Sequence, residues 1–304
     1  MAIRPLAVSV VLAAALVGTN VMHDSGSAVL DGQIGVAAPS AAPLAVVPTA
    51  SPTPGASAGQ VPRPTPTPRP ATSTGTSTRP PVTAADRFQA WDHGPRTAKV
   101  VALTFDDGWN LAGVKEVVAI LKAKQAPATF FPVARAVERH PKTWRSIAAA
   151  GFPIANHSWN HGNLAQMSAK QAAADIQRST RLIERVIRMP LFPVLRPPGG
   201  ALDTTLMRVA RESGMRAVVM WDVDTRDWTG RRPRTVYRAA LDATRGSIIL
   251  MHTDKANTIK ALPRIIDSLR ERGYTLVTVG QLIGLPGPVP VFMPREQQGS
   301  TQGR

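Results

Sequence analysis

The chain has 304 residues, a net charge of +16 at neutral pH and no cysteine. Without thiols there are no disulfides, thiolate metal sites, cysteine nucleophile or lipidated cysteine anchor, so any metal chemistry must run on His and carboxylate side chains. Residues 85–285 hold 30 Lys and Arg against 17 Asp and Glu, which places +13 of the charge there; this suits an anionic partner or setting, although Arg-rich coding bias gives the same balance.

In chain order, residues 5–17 form a short apolar run behind Arg4. It fits the core of a secretory signal and falls short of the ~20 residues of a spanning helix. The nearest small-residue site, Gly26-Ser27-Ala28, lies far downstream, so residues 1–36 read as a signal peptide or an uncleaved N-terminal membrane anchor, followed by the start of a linker. Export is the expectation in either case. Residues 37–84 turn to Pro, Thr, Ser, Ala and Gly. Such a stretch buries too little apolar surface to offset ordering, and its prolines hold it semi-extended, so a disordered linker is predicted. Residues 85–285 are long enough for one domain with a substantial core. A second polar tail, expected to be disordered, occupies residues 286–304.

Within the domain, short apolar runs alternate with helical periodicity. Strands are predicted at residues 99–105, 128–133, 152–155, 215–220, 247–251 and 275–279. Helices are predicted at 111–124, 141–150, 169–188, 204–213, 235–243 and 258–272, with Ile176, Ile183, Val186 and Ile187 the clearest apolar face. Strand followed by helix, repeated, argues for an α/β fold with a parallel sheet closing as a β/α barrel. Polar clusters follow the strands: Asp106 and Asp107 after the first, His157 and His161 after the third, Asp224 and Asp227 after Trp221, and His252 after 248–251. In a β/α barrel these strand ends share one face. A carboxylate and two imidazoles supply three N/O ligands with a position open for water, and a second carboxylate could take a proton from that water.

Five segments carry a resemblance. Thr104-Phe105-Asp106-Asp107-Gly108, His157-Ser158-Trp159-Asn160-His161, Arg196-Pro197-Pro198-Gly199-Gly200, Asp224-Thr225-Arg226-Asp227-Trp228 and Ile249-Leu250-Met251-His252 resemble the ordered motifs of the polysaccharide deacetylases, carbohydrate esterase family 4, the NodB homology domain. The resemblance implies a deformed (β/α) barrel with fewer than eight regular strands and metal-dependent removal of acetyl groups from carbohydrate polymers. It further implies Asp107, His157 and His161 as metal ligands and Asp106 as general base, with Arg196 orienting that base. By the same pattern His252 is the general acid, supported by Asp227; the Gly199 N–H stabilises the oxyanion, and Trp228 with Leu250 lines a pocket for the acetyl methyl. Two positions depart from the pattern: Gly199 stands where an aromatic residue is common, and Thr253 follows His252 where Asp is common, with Asp254 one place later.

The resulting expectation is an exported or membrane-tethered deacetylase, with a monomer assumed because the sequence does not give the oligomeric state. Its cofactor would be a divalent metal, zinc first, with cobalt, nickel or manganese able to occupy the same ligands. Its partner would be an acetylated glycan, with N-acetylglucosamine in peptidoglycan first, and chitooligosaccharide or acetylxylan as alternatives. A catalytically silent glycan-binding protein on the same fold is the rival from another class. Nucleic acid is not expected, because no helix-turn-helix or zinc-finger signature is present.

Overall fold

The computed structural model describes residues 88–292. The predicted signal or anchor (1–36), the linker (37–84) and the end of the tail therefore lie outside the described residues. No helix among the described residues is long and apolar enough to cross a membrane.

The elements in chain order are β1 (Ala90–Trp91), β2 (Val100–Asp107), α1 (Leu111–Ala123), β3 (Thr129–Pro132), α2 (Ala134–Arg139), α3 (Pro141–Ala149), α4 (Ala169–Ile187), β4 (Val194–Leu195), α5 (Thr204–Glu212), β5 (Ala217–Val219), β6 (Val223–Asp224), α6 (Pro233–Ala240), β7 (Ser247–His252), α7 (Ala256–Glu271), β8 (Thr275–Val277) and α8 (Val279–Ile283). Every pairing between named strands is parallel. One sheet runs β1-β5-β4, the other β3-β2-β7-β6, with β8 paired to the start of β2. Single bridges join the two sheets: Asn156 pairs with Leu195, and Ile154 with Phe130. His93 pairs antiparallel with Ser247 and brings the segment after β1 back to β7. The result is a deformed ring with only β2, β7 and β3 longer than three residues.

The long strands form because their sequences are apolar on both faces. From Val101 to Asp106 every residue of β2 is buried, and so is Ser247–Met251 of β7; parallel strands covered by helices read this way. The helices bury one stripe each, as α4 does with Ile176, Leu182, Ile183, Val186 and Ile187. Its start is fixed by a capping box, Ser168 with Gln171, which satisfies two orphaned N–H donors.

Several expectations need correction. Residues 152–155 make only bridge pairs, because Pro153 has no N–H for a ladder. The strand predicted over 275–279 stops at Val277, and α8 begins two residues later behind the capping residue Thr278. Helix α2, β4 and β6 were too short to show periodicity. The tail does not begin at residue 286: Val291 N–H donates to Ala150 O at 3.2 Å, and the Phe292 ring lies 5.6 Å from that of Phe152. An aromatic side chain beside a buried aromatic cluster keeps this stretch on the domain.

Candidate active site

The predicted side chains converge at the C-terminal ends of the strands. Asp106 of β2 and His252 of β7 are lateral neighbours in the strand register. His157 follows the Asn156 bridge, Arg196 follows β4, and Asp227 lies in a short turn after β6. Sequence placed these groups on one face, and the ring closes them onto one site.

Alternation along β2 explains how the adjacent carboxylates divide. Thr104 and Asp106 are two residues apart and share a face, and both accept from Arg196 Nη1, at 2.9 and 2.8 Å. Asp107 leaves the strand with φ +75°, which turns its carboxylate toward the histidines. Ser158 and His161 also have positive φ, +66° each. A non-glycine residue in this region costs roughly 1–3 kcal/mol and persists where surrounding contacts impose it. Those contacts are present: Ser158 N–H donates to Asn156 Oδ1, His161 N–H to Ser158 Oγ, and Trp159 N–H to Asp175 Oδ1.

Asp107, His157 and His161 each present a ligand atom within 4.8 Å of the others. Asp107 Oδ1 lies 3.9 Å from His157 Nε2 and 3.5 Å from His161 Nε2. Those separations are too long for good hydrogen bonds, and one carboxylate with two imidazoles is a donor set suited to a divalent cation. Asp107 Oδ1 is buried and has no hydrogen-bond partner. An orphaned carboxylate oxygen facing two imidazole nitrogens is what a divalent cation would satisfy. His157 Nδ1 sits 2.7 Å from Arg196 O; a carbonyl can only accept, so Nδ1 carries the proton and Nε2 keeps its lone pair for a ligand. Burial lowers the His157 pKa and favours this neutral form. Burial likewise raises the Asp107 pKa, against the opposing charges of His157 and His252. His161 is 40% exposed in its side chain and opens the site to solvent.

Arg196 is fully buried and satisfies four acceptors: Val219 O, Met220 O, Thr104 Oγ1 and Asp106 Oδ1. Its guanidinium also lies 4.1 Å from the Phe131 ring centroid. On the other side of Asp106, His252 Nδ1 lies 2.7 Å from Asp227 Oδ1, and its backbone N–H donates to Asp227 Oδ2. Thr258 Oγ1 donates to the same carboxylate. Burial alone would lower the His252 pKa, but the hydrogen bond and charge of Asp227, with the charges of Asp106 and Asp107, outweigh it and lift it to about 9.

The turn at Pro198–Gly200 is closed by Gly200 N–H to Pro197 O and Ala201 N–H to Pro198 O. No acceptor among the described residues takes the Gly199 N–H. Gly199 has φ +63°, and a Cβ there would meet nothing within 4 Å, so the wall that an aromatic residue would form is open space. Thr253 is buried and donates through N–H and Oγ1 to Asp106 O, tying β7 to β2. Asp254 pairs with Lys255 instead of acting on His252. Leu250 is nearly buried, while Trp228 is 57% exposed and so is not a core residue.

Sequence reasoning missed the supports. Thr104 was legible from its spacing of two from Asp106, and Asn156 and Ser158 from flanking His157. Asn257, Thr258 and Asp175 sit on helices far along the chain and carried no signal.

Residues 93–218 match the family model described as polysaccharide deacetylase. A peptidoglycan-N-acetylglucosamine deacetylase of Bacillus cereus is 31% identical over 194 residues, 62% of this chain and 90% of that protein. The peptidoglycan-N-acetylmuramic acid deacetylase PdaC of Bacillus subtilis is 37% identical over 186 residues, 60% of this chain but 38% of that protein. Among solved structures, a family 4 carbohydrate esterase pseudoenzyme from Bacillus anthracis aligns with TM-score 0.61 and 28% identity, over 64% of this chain and 68% of that one. The fold, the site and these relatives together place the chain in the polysaccharide deacetylase family.

Proposed function

We propose that this protein is a metal-dependent hydrolase that removes the acetyl group from N-acetylglucosamine in peptidoglycan, acting outside the cytoplasm as an exported or membrane-tethered enzyme. The observation that carries the reading is the orphaned Asp107 Oδ1 facing the His157 and His161 Nε2 atoms, beside a second carboxylate that Arg196 holds apart. Relatives named for peptidoglycan deacetylation support the glycan, and relatives named for chitooligosaccharide deacetylation keep the neutral polymer as an alternative. The apolar run at residues 5–17 and the Pro-rich stretch after it support export.

Asp107, His157 and His161 would hold the cation, with zinc favoured by nitrogen-rich ligation and cobalt, nickel or manganese able to replace it. When bound, it supplies Lewis acidity toward the acetyl carbonyl and acidifies a water. Asp106 takes the proton of the attacking water, and Arg196 and Thr104 fix its position. The free Gly199 N–H donates to the oxygen that gains charge as the carbonyl becomes tetrahedral. His252, protonated in the grip of Asp227, passes its proton to the departing amine. Leu250 and Trp228 give the acetyl methyl an apolar surface, worth about 1 kcal/mol.

Acetate release by the full chain with added zinc tests this on three polymers: peptidoglycan, N-acetylglucosamine oligomers and acetylxylan. Release from either of the first two is expected, and release from acetylxylan alone would defeat the N-deacetylase reading. The pseudoenzyme among the structural neighbours makes a silent glycan-binding protein the rival, and acetate release from none of the three, with glycan still bound, would favour it.

A further inference from the structure

The segment 222–234 carries three carboxylates and four arginines, and the fold treats the two signs differently. Asp222 accepts from Arg96, Ser247 and Ile248 N–H. Asp224 accepts from Arg226 N–H at 2.8 Å, and Asp227 is buried against His252 and Thr258. All three acids are engaged internally. The guanidiniums of Arg226, Arg231, Arg232 and Arg234 meet no carboxylate among the described residues. Arg226, Arg232 and Arg234 are exposed and Arg231 half-buried.

Their placement works against local stability. Arg232 caps the N-terminus of α6 and Arg234 lies in its first turn, with no acidic residue there; cations are disfavoured at this positive end of a helix. Arg226 holds φ +50°, a further cost for a side chain. The segment is nonetheless rigidly seated, because Asn257 Nδ2 donates to both Asp227 O and Arg231 O at 2.8 Å. It also borders the catalytic groups: Asp227 holds His252, and the exposed Trp228 follows directly.

We infer that Arg226, Arg231, Arg232 and Arg234 form a subsite on the rim of the active site for carboxylates displayed along an anionic glycan. The inference rests on the deacetylase reading above and sharpens its substrate class. The preferred polymer carries free carboxylates beside its acetylated sugars, as peptidoglycan with stem peptides does, and a neutral N-acetylglucosamine homopolymer lacks this contact. Guanidiniums match carboxylates in planar, two-point geometry. A one-sign cluster beside a cleft also raises the local concentration of an oppositely charged polymer, an effect that salt screens.

The test uses three zinc-loaded full-chain proteins: wild type, Arg231→Gln/Arg232→Gln/Arg234→Gln, and the charge-matched control Lys115→Gln/Lys122→Gln/Lys142→Gln, whose lysines line a separate groove between α1 and α3. Substrates are soluble peptidoglycan strands with free stem carboxylates, the same strands amidated, and N-acetylglucosamine oligomers. At low salt the arginine variant should lose about tenfold in kcat/KM on the free-carboxylate strands, through KM. It should stay within about twofold of wild type on the other two substrates, and the lysine variant should match wild type throughout. Equal loss on all three substrates, equal loss in the lysine variant, or no loss would overturn the subsite. Wild type inactive on every substrate would instead remove the deacetylase reading, and strand binding by the same three proteins would then decide the rim on its own.

Discussion

Arg196 donates through Nη1 to Asp106 Oδ1 at 2.8 Å, and the two side chains are 0% and 4% exposed. This pair fixes the Asp106 carboxylate, because the same guanidinium is pinned by Thr104 Oγ1 and by two main-chain carbonyls. Arg196→Lys keeps one charge but cannot reach four acceptors. It should lower stability by about 1–3 kcal/mol for each buried acceptor left without a donor, and lower kcat with it. Thermal unfolding and acetate release measure the two effects; a lysine variant as stable as wild type would show that the fork is not needed.

Asp106→Asn retains an acceptor for Arg196 while removing the carboxylate proposed as proton acceptor. The expected outcome is a fall in kcat of about 10²–10⁴ with zinc content unchanged. Turnover near the wild-type level would move the base elsewhere.

Replacing one imidazole separates metal binding from folding. His161 is partly exposed and its main-chain N–H, which any residue there supplies, donates to the Ser158 hydroxyl oxygen, so His161→Ala should fold normally yet retain little zinc after dialysis. Elemental analysis checks the retention, and wild type stripped by a chelator should regain activity when zinc is returned. Full zinc occupancy in His161→Ala would exclude this ligand.

His252 gives a pH dependence with a definite sign. Its pKa in the folded chain, about 9, lies above the ordinary 6.5, so the acid form is present at neutral pH and is lost as pH rises through about 9. Activity should fall on that alkaline side. In Asp227→Asn burial remains while the main raising interactions go, so the alkaline limb of kcat/KM should move to lower pH. The stability contribution follows the same rule: in zinc-free protein it is complete below pH 6.5 and disappears between there and about 9. An alkaline limb unmoved in Asp227→Asn would assign that proton to another group.

Trp228 distinguishes surface from core. Because its ring is largely exposed, Trp228→Ala should alter stability by no more than about 0.5 kcal/mol while raising KM for the glycan. A large drop in melting temperature would mean that the ring packs inside the domain.

The sequence by itself determined the α/β class and set the candidate site residues just after its apolar runs. Each of these is written locally: a short all-apolar run rich in β-branched residues such as Ile248–Met251 suits a covered strand, the stripe through Ile176 and Ile183 suits a helix against a core, and the charged clusters follow the runs. Tertiary structure alone decided how those residues are held. The four acceptors of Arg196 come from segments up to 92 positions away, and Asn257 and Thr258 reach Asp227 from a different helix. The orphaned Asp107 oxygen exists only because β2 ends in a left-handed residue beside His157 and His161. The same holds for Phe292, which looks like tail until the aromatic cluster around Phe152 is built. Local pattern encodes which side of an element meets water; side-chain contacts between distant segments depend on closure of the ring, which no short window of sequence contains.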